Sequence, residues 1–181
     1  MEDRETLVVI NPVAGSVSDV RRYRAVIASR FDSAGWNCTF HETKPGEDLP
    51  AIVREACHRG VHRVIAVGGD GTIGSIVNGV IGTDVPIGIL PLGTGNLLAL
   101  GLGLPRRLEE AIELLVRSPR TRGLDTMYMA GHHYVLNVGT GISSASIRDT
   151  RTADKRRFGI LAYARRIVGH VFRFRAYRFD L

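Results

Sequence analysis

The chain has 181 residues, 44% hydrophobic and 23% charged. It can therefore build a core, is too short for a large multidomain machine, and is neither disordered nor collagen-like. Its formal charge of +6 is local: ten basic residues against two acids lie between Arg148 and Arg178, leaving −2 elsewhere, and such a segment attracts nucleic acid, an anionic membrane or a phosphorylated ligand alike.

Glu2, Asp3, Arg4 and Glu5 stand where a secretory leader would be basic, so a cytosolic protein is expected. Thr6 to Ile10 is a short β-branched apolar run ended by Asn11-Pro12, which predicts a buried strand feeding a loop. Ser18 or Asp19 can cap a helix with Val20, Tyr23, Val26, Ile27 and Phe31 on one face, ended by Gly35. Trp36 to His41 reads as a second strand. Asp48 can cap a helix with Pro50 in its first turn, ending near Gly60. A third strand, Arg63 to Val67, is followed by a turn at Gly68 to Gly71, a helix over Thr72 to Ile81 and a fourth strand, Val85 to Leu90. Strands alternating with helices predict an α/β lobe with a doubly wound parallel sheet, whose ligands bind beyond the carboxyl ends of the strands.

The uncharged stretch from Pro86 to Pro105 has the length of a membrane span, but its prolines and glycines argue against a spanning helix. A helix over Arg107 to Val116 closes the lobe, and Ser118-Pro119 reads as a boundary between a lobe at 1–120 and a second, partial β-rich lobe at 121–181. There, Gly123 to Met129 and His132 to Val138 predict an antiparallel hairpin, Phe158 to Phe172 a basic amphipathic helix, and Phe174 to Leu181 a strand. Cys38 and Cys57 lack metal spacing and read as buried free thiols. The adjacent His132 and His133 would point to opposite faces of a strand, so they suggest no metal site.

Three turns carry the chemistry: Asn11-Pro12-Val13-Ala14-Gly15-Ser16, Gly68-Gly69-Asp70-Gly71-Thr72, and Pro91-Leu92-Gly93-Thr94-Gly95-Asn96. In a parallel sheet they lie along one edge, where glycine lets backbone N–H groups approach phosphate and helix N-termini favour negative charge. A polyphosphate could sit across all three. Asp70 can hold Mg2+ or accept a proton from a substrate hydroxyl, and Thr72, Thr94 and Asn96 can supply side-chain hydrogen bonds. Each turn alone is better explained as chain reversal; the combination is what points to phosphate. The lysine-bearing P-loop signature is absent.

Together these turns resemble the diacylglycerol kinase catalytic domain family, which also covers sphingosine, ceramide and bacterial lipid kinases. Asn11 to Gly15 matches its opening N-P-x-x-G, Gly68 to Thr72 its G-G-D-G-T, and Gly88 to Asn96 its third loop. The resemblance continues more weakly through Asp125, residues 137–141 and the basic segment. It implies a two-lobe fold related to NAD kinases, ATP and Mg2+ in the cleft, and transfer of the γ-phosphoryl group to a lipid hydroxyl. By the same resemblance, Asn11, Gly15, residues 68–72, Thr94 and Thr43 contact nucleotide, while Asp125 joins Asp70 in the magnesium network. Many relatives continue the second motif with x-N-E and place an acid after the third motif's asparagine; here stand Gly74, Ser75 and Leu97. Relatives also have a longer second lobe, so this chain alone is expected to bind ATP and to turn over slowly.

The lipid-kinase reading expects a cytoplasmic protein, peripheral to the membrane's inner surface through Arg148 to Arg178, with a homodimer among the assemblies it allows. No specific nucleic-acid partner is expected, because the basic stretch carries no recognised motif. A non-catalytic nucleotide-binding, membrane-surface module and an NAD kinase-like enzyme remain the alternatives.

Overall fold

The computed structural model describes residues 4–15, 19–117 and 120–136. The chain divides into two compact units, 1–136 and 137–181. The expected helix at 158–172, the final strand, residues 137–141 and the basic segment lie outside the described residues, as does the boundary dipeptide Ser118-Pro119.

Four strands form one parallel sheet: β1 (Arg4–Ile10), β2 (Trp36–Glu42), β3 (Arg63–Gly68) and β4 (Ile87–Pro91), in the order β2-β1-β3-β4. In the central strand β1, Val8, Val9 and Ile10 are fully buried, because both faces are covered. Side chains alternate across a strand, so β1 feeds two separate cores. Leu7 and Val9 join Val64, Ala66 and Ile89 under α2 (Leu49–His58) and α3 (Asp70–Val80). Val8 and Ile10 join Ile65, Val67 and Leu90 under α1 (Val20–Ser33), with Leu108, Ala111 and Ile112 of the helix at Leu108–Arg117. The edge strand β2 instead buries only Trp36, with Cys38, Phe40 and His41 half-buried and Asn37, Thr39 and Glu42 exposed. Its Trp36 stacks on Phe31 with ring centroids 4.5 Å apart, under the Arg63 guanidinium 4.0 Å from the Trp36 ring.

The local signals act as the sequence suggests. Asp19 accepts from the Arg22 N–H to cap α1, and Gly35 ends it with a φ of 74°. Asp48 accepts from the Ala51 N–H, with Pro50 in the first turn of α2. Strand β4 runs over Ile87–Pro91, where Val85 to Leu90 is expected, and two further differences touch the site. Helix α3 begins at Asp70, not Thr72, so Asp70 belongs to a helical first turn. The uncharged stretch contains α4 (Leu97–Gly101), unforeseen because five residues carry too little periodicity to register.

Helix α2 lies so close to α3 that a Cβ on Gly79 would sit 2.6 Å from Val53 Cβ and 2.8 Å from the Pro50 carbonyl oxygen. Gly79→Ala is therefore expected to destabilise the protein by roughly 1–3 kcal/mol through overpacking, despite the higher helix propensity of alanine. Chemical denaturation checks this, and an unchanged midpoint would show that the helices separate at no cost.

After α5 (Leu108–Arg117), β5 (Met127–Met129) and β6 (His132–Tyr134) form the expected antiparallel hairpin, with shorter strands than predicted. Residues 121–136, read as the opening of the second lobe, group with the first compact unit. Asn78 of α3 provides one attachment: its Nδ2 donates to the His133 carbonyl at 2.9 Å and its Oδ1 accepts from the His133 N–H at 2.8 Å. Cys38 and Cys57 are half-buried free thiols, not fully buried ones. Burial pushes the Cys38 thiol up to about 11, so it stays protonated near neutrality.

Candidate functional site

The three glycine-bearing turns converge at the carboxyl ends of β1, β3 and β4. Their contact can be read from the space denied to side chains. A Cβ on Gly15 would lie 2.7 Å from Thr94 Oγ1 and 2.9 Å from the Thr94 backbone nitrogen, so the first and third turns touch. A Cβ on Gly93 would run into the Gly69 Cα, so the second and third turns also touch. The first and second are joined by Asn11, whose Nδ2 donates to Thr72 Oγ1 at 3.0 Å while its Oδ1 accepts from the Val13 N–H at 3.1 Å. Glycine is required here for backbone approach.

Asp70 connects the last two turns. Its Oδ2 accepts from the Leu97 N–H at 3.0 Å and its Oδ1 from the Leu98 N–H at 3.1 Å. The carboxylate thus caps α4 from another segment, supplying acceptors where Asn96, in the N-cap position, makes no side-chain cap bond. Asn96 is buried, with a left-handed φ of 50°. Its Oδ1 accepts from the Gly93 N–H at 2.9 Å, and its Nδ2 donates to the Pro91 and Gly93 carbonyls at 3.3 and 2.8 Å. Its amide is occupied in shaping its own loop.

A cavity of about 200 Å³ opens beside these turns, lined by Asn11, Thr43, Lys44, Glu47, Leu49, Gly71, Thr72 and Ser75. Of the residues chosen for nucleotide contact, Asn11, Thr43, Gly71 and Thr72 line it. Gly68, Gly69, Gly93, Thr94, Gly95 and Asn96 belong to the converging turns, with the Gly95 Cβ position 3.6 Å from Asp70 Oδ2. Ala14 is buried in the core, Pro12 is half-buried and Val13 exposed. Lys44, Glu47, Leu49 and Ser75 are additional lining residues. Their signal was position: Lys44 immediately follows Thr43, while Ser75 lies one helical turn beyond Gly71, to whose carbonyl its Oγ donates at 3.2 Å.

The lining suits phosphate. No side chain caps the N-terminus of α3, so its first-turn N–H groups and positive dipole end stand beside hydroxyls and the Lys44 ammonium. Gly69 to Gly74 also has the spacing G-x-G-x-x-G at a strand-to-helix junction, the context in which that spacing holds phosphate. Among the described residues no three His, Cys, Asp or Glu side chains gather as metal ligands. Asp125 is exposed in an irregular segment. Each Asp70 oxygen keeps acceptor capacity beyond its backbone bond. This donor set fits a Mg2+ ion bound mostly by phosphate oxygens and water, as that cation commonly is.

Residues 5–129 match the diacylglycerol kinase catalytic domain. The chain belongs to that family. It is 35% identical over 167 residues to a probable lipid kinase YegS-like protein of Chromohalobacter salexigens, covering 90% of this chain and 52% of that protein. It is 30% identical over 159 residues to a diacylglycerol kinase of Bacillus subtilis, covering 86% of this chain and 52% of that one. A crystal structure of a diacylglycerol kinase from Bacillus anthracis superposes with a TM-score of 0.64 at 27% identity, covering 74% of this chain and 46% of that one. The chain therefore spans about half the length of these relatives. The family match includes all three converging turns and the Asp70 cap. No helix among the described residues is long and apolar enough to cross a membrane, in keeping with the broken character of the stretch from Pro86 to Pro105.

Proposed function

We propose that this chain forms the nucleotide-binding part of an ATP- and Mg2+-dependent lipid kinase that transfers the γ-phosphoryl group to a hydroxyl of a diacylglycerol-like lipid. The observation that carries this reading is the convergence of three backbone turns on a polar cavity headed by the uncapped N-terminus of α3. When bound, ATP with Mg2+ supplies the phosphoryl group and the metal charge that offsets it in transfer. The chain's own part is positioning. The Gly71 N–H at the head of α3 and the Thr72 hydroxyl hold phosphate oxygens, while Thr43 and Lys44, after β2, border the rest of the nucleotide. Asp70, held by two α4 amides, presents its remaining lone pairs to metal-bound water or to the acceptor hydroxyl.

Radiolabelled ATP offered with diacylglycerol in mixed micelles, and separately with NAD, tests the proposal. Label is expected in the lipid and not in NAD. Nucleotide binding without label in either would instead support a binding module. Attachment through Arg148 to Arg178 at the inner membrane surface belongs to the same proposal. Pelleting with anionic liposomes is expected to weaken as salt rises; salt-insensitive pelleting would remove the basic segment as its cause.

Ser75 gives a graded test of the metal's part, because it lines the cavity at the position where the family resemblance puts a carboxylate. Ser75→Glu is expected to weaken ATP binding without Mg2+ through repulsion, and to strengthen it severalfold with Mg2+. Titrations with and without the metal read the difference; equal shifts in both would mean that position 75 does not act through the cation.

A further inference from the structure

Glu47 is an unexpected wall for a cavity that suits phosphate. It lines the same space as Lys44 and the α3 N-terminus, yet a carboxylate there repels a polyphosphate. Its placement is fixed. His41 Nε2 lies 3.0 Å from Glu47 Oε1 and 3.1 Å from Oε2, and the two side chains are only 24% and 15% exposed. A carboxylate only accepts, so Nε2 carries the proton and the Glu47 oxygens keep their other lone pairs. His41 is itself anchored on β2, in register with core residue Val9 of β1.

The order of the sheet separates the cavity's two ends. Gly71, Thr72 and Ser75 stand at the β3–α3 junction, Asn11 follows β1, Thr43, Lys44 and Glu47 follow β2, and Leu49 opens α2. With neighbouring strands about 4.8 Å apart, the path from β3 to β2 is roughly 10 Å, enough to carry a nucleotide from phosphate towards sugar. The turns in mutual contact follow β1, β3 and β4, so the phosphate end is away from β2. At the β2 end stand a fixed acceptor and the apolar Leu49. Acids beyond a neighbouring strand hold ribose hydroxyls in other doubly wound nucleotide folds.

Resting on the nucleotide-site reading above, we infer that Glu47, oriented by His41, accepts a hydrogen bond from the ribose hydroxyls of the bound nucleotide and makes this chain select ribonucleotides over deoxynucleotides. His41 acts through Glu47 and is a positioning residue.

The test is equilibrium binding to the whole chain, with Mg2+, of ATP, 2′-deoxy-ATP, 3′-deoxy-ATP and inorganic tripolyphosphate. The unaltered chain is expected to bind ATP about tenfold more tightly than at least one deoxynucleotide, the scale of one hydrogen bond to a charged acceptor. Glu47→Ala is expected to bind ATP and that deoxynucleotide alike while binding tripolyphosphate at least as well as before. His41→Gln should narrow the discrimination. If tripolyphosphate and ATP bind but the chain does not discriminate, or Glu47→Ala still does, the role of Glu47 is overturned and the phosphate site stands. If neither binds the unaltered chain, the nucleotide-site reading fails and this inference falls with it. If Glu47→Ala loses tripolyphosphate as well, the near-isosteric Glu47→Gln decides: discrimination equal to the unaltered chain overturns the role, and reduced discrimination with tripolyphosphate retained supports it.

Discussion

Asp70→Ala is expected to lower nucleotide affinity by roughly 30-fold, to abolish any lipid phosphorylation, and to lower the melting temperature by about 5 °C. The substitution leaves the Leu97 and Leu98 N–H groups at the head of α4 without their acceptor. It also removes a tie between the second and third turns and the carboxylate that would face Mg2+ in the proposed site. Loss of two partly exposed bonds to a charged cap costs about 1–2 kcal/mol, in the range of an N-cap deletion. Asp70→Asn separates the effects, since its remaining oxygen can still accept an α4 amide while the charge is gone. Its melting temperature should recover more than its phosphoryl transfer. Calorimetric titration and thermal melting read the two parts, and an alanine variant with unaltered melting and affinity would remove Asp70 from both roles.

Gly93→Ala is expected to weaken nucleotide binding by tenfold or more and to destabilise the fold by roughly 1–3 kcal/mol. The new methyl would meet the Gly69 Cα and lie 2.6 Å from Asn96 Oδ1. One of these neighbours is backbone and the other a buried amide with three hydrogen bonds of its own. Neither can give way as a flexible side chain would, so the second and third turns must separate. Gly101→Ala is the control: nothing lies within 4 Å of its Cβ position, and its melting temperature and affinity should stay near those of the unaltered chain. Equal behaviour of the two variants would show that contact between the turns does not build the site.

Much of this was legible because local rules and tertiary demands agree. The apolar runs at Thr6 to Ile10 and Arg63 to Val67 read as strands buried on both faces, and Asp19 and Asp48 cap the helices they precede. The three turns were visible as residue types whose backbone freedom serves phosphate. Helix α4 was not visible, because it is held partly by Asp70, 27 residues before Leu97. Glu47 was passed over because an acid in a loop reads as solvated surface. Only the fold brings His41 against it and turns it to line a cavity.

The order of residues along the chain determined which segments are strands, which turns can approach an anion and which family the chain resembles, since these depend on periodicity and on backbone chemistry within a few neighbours. Tertiary structure alone decided that Asp70 spends one acceptor on each of two α4 amides, that Asn96 shapes its own loop, and that a fixed carboxylate stands at the β2 end of the cavity. Those outcomes depend on distances between segments far apart in the chain, set when both faces of the sheet are buried at once.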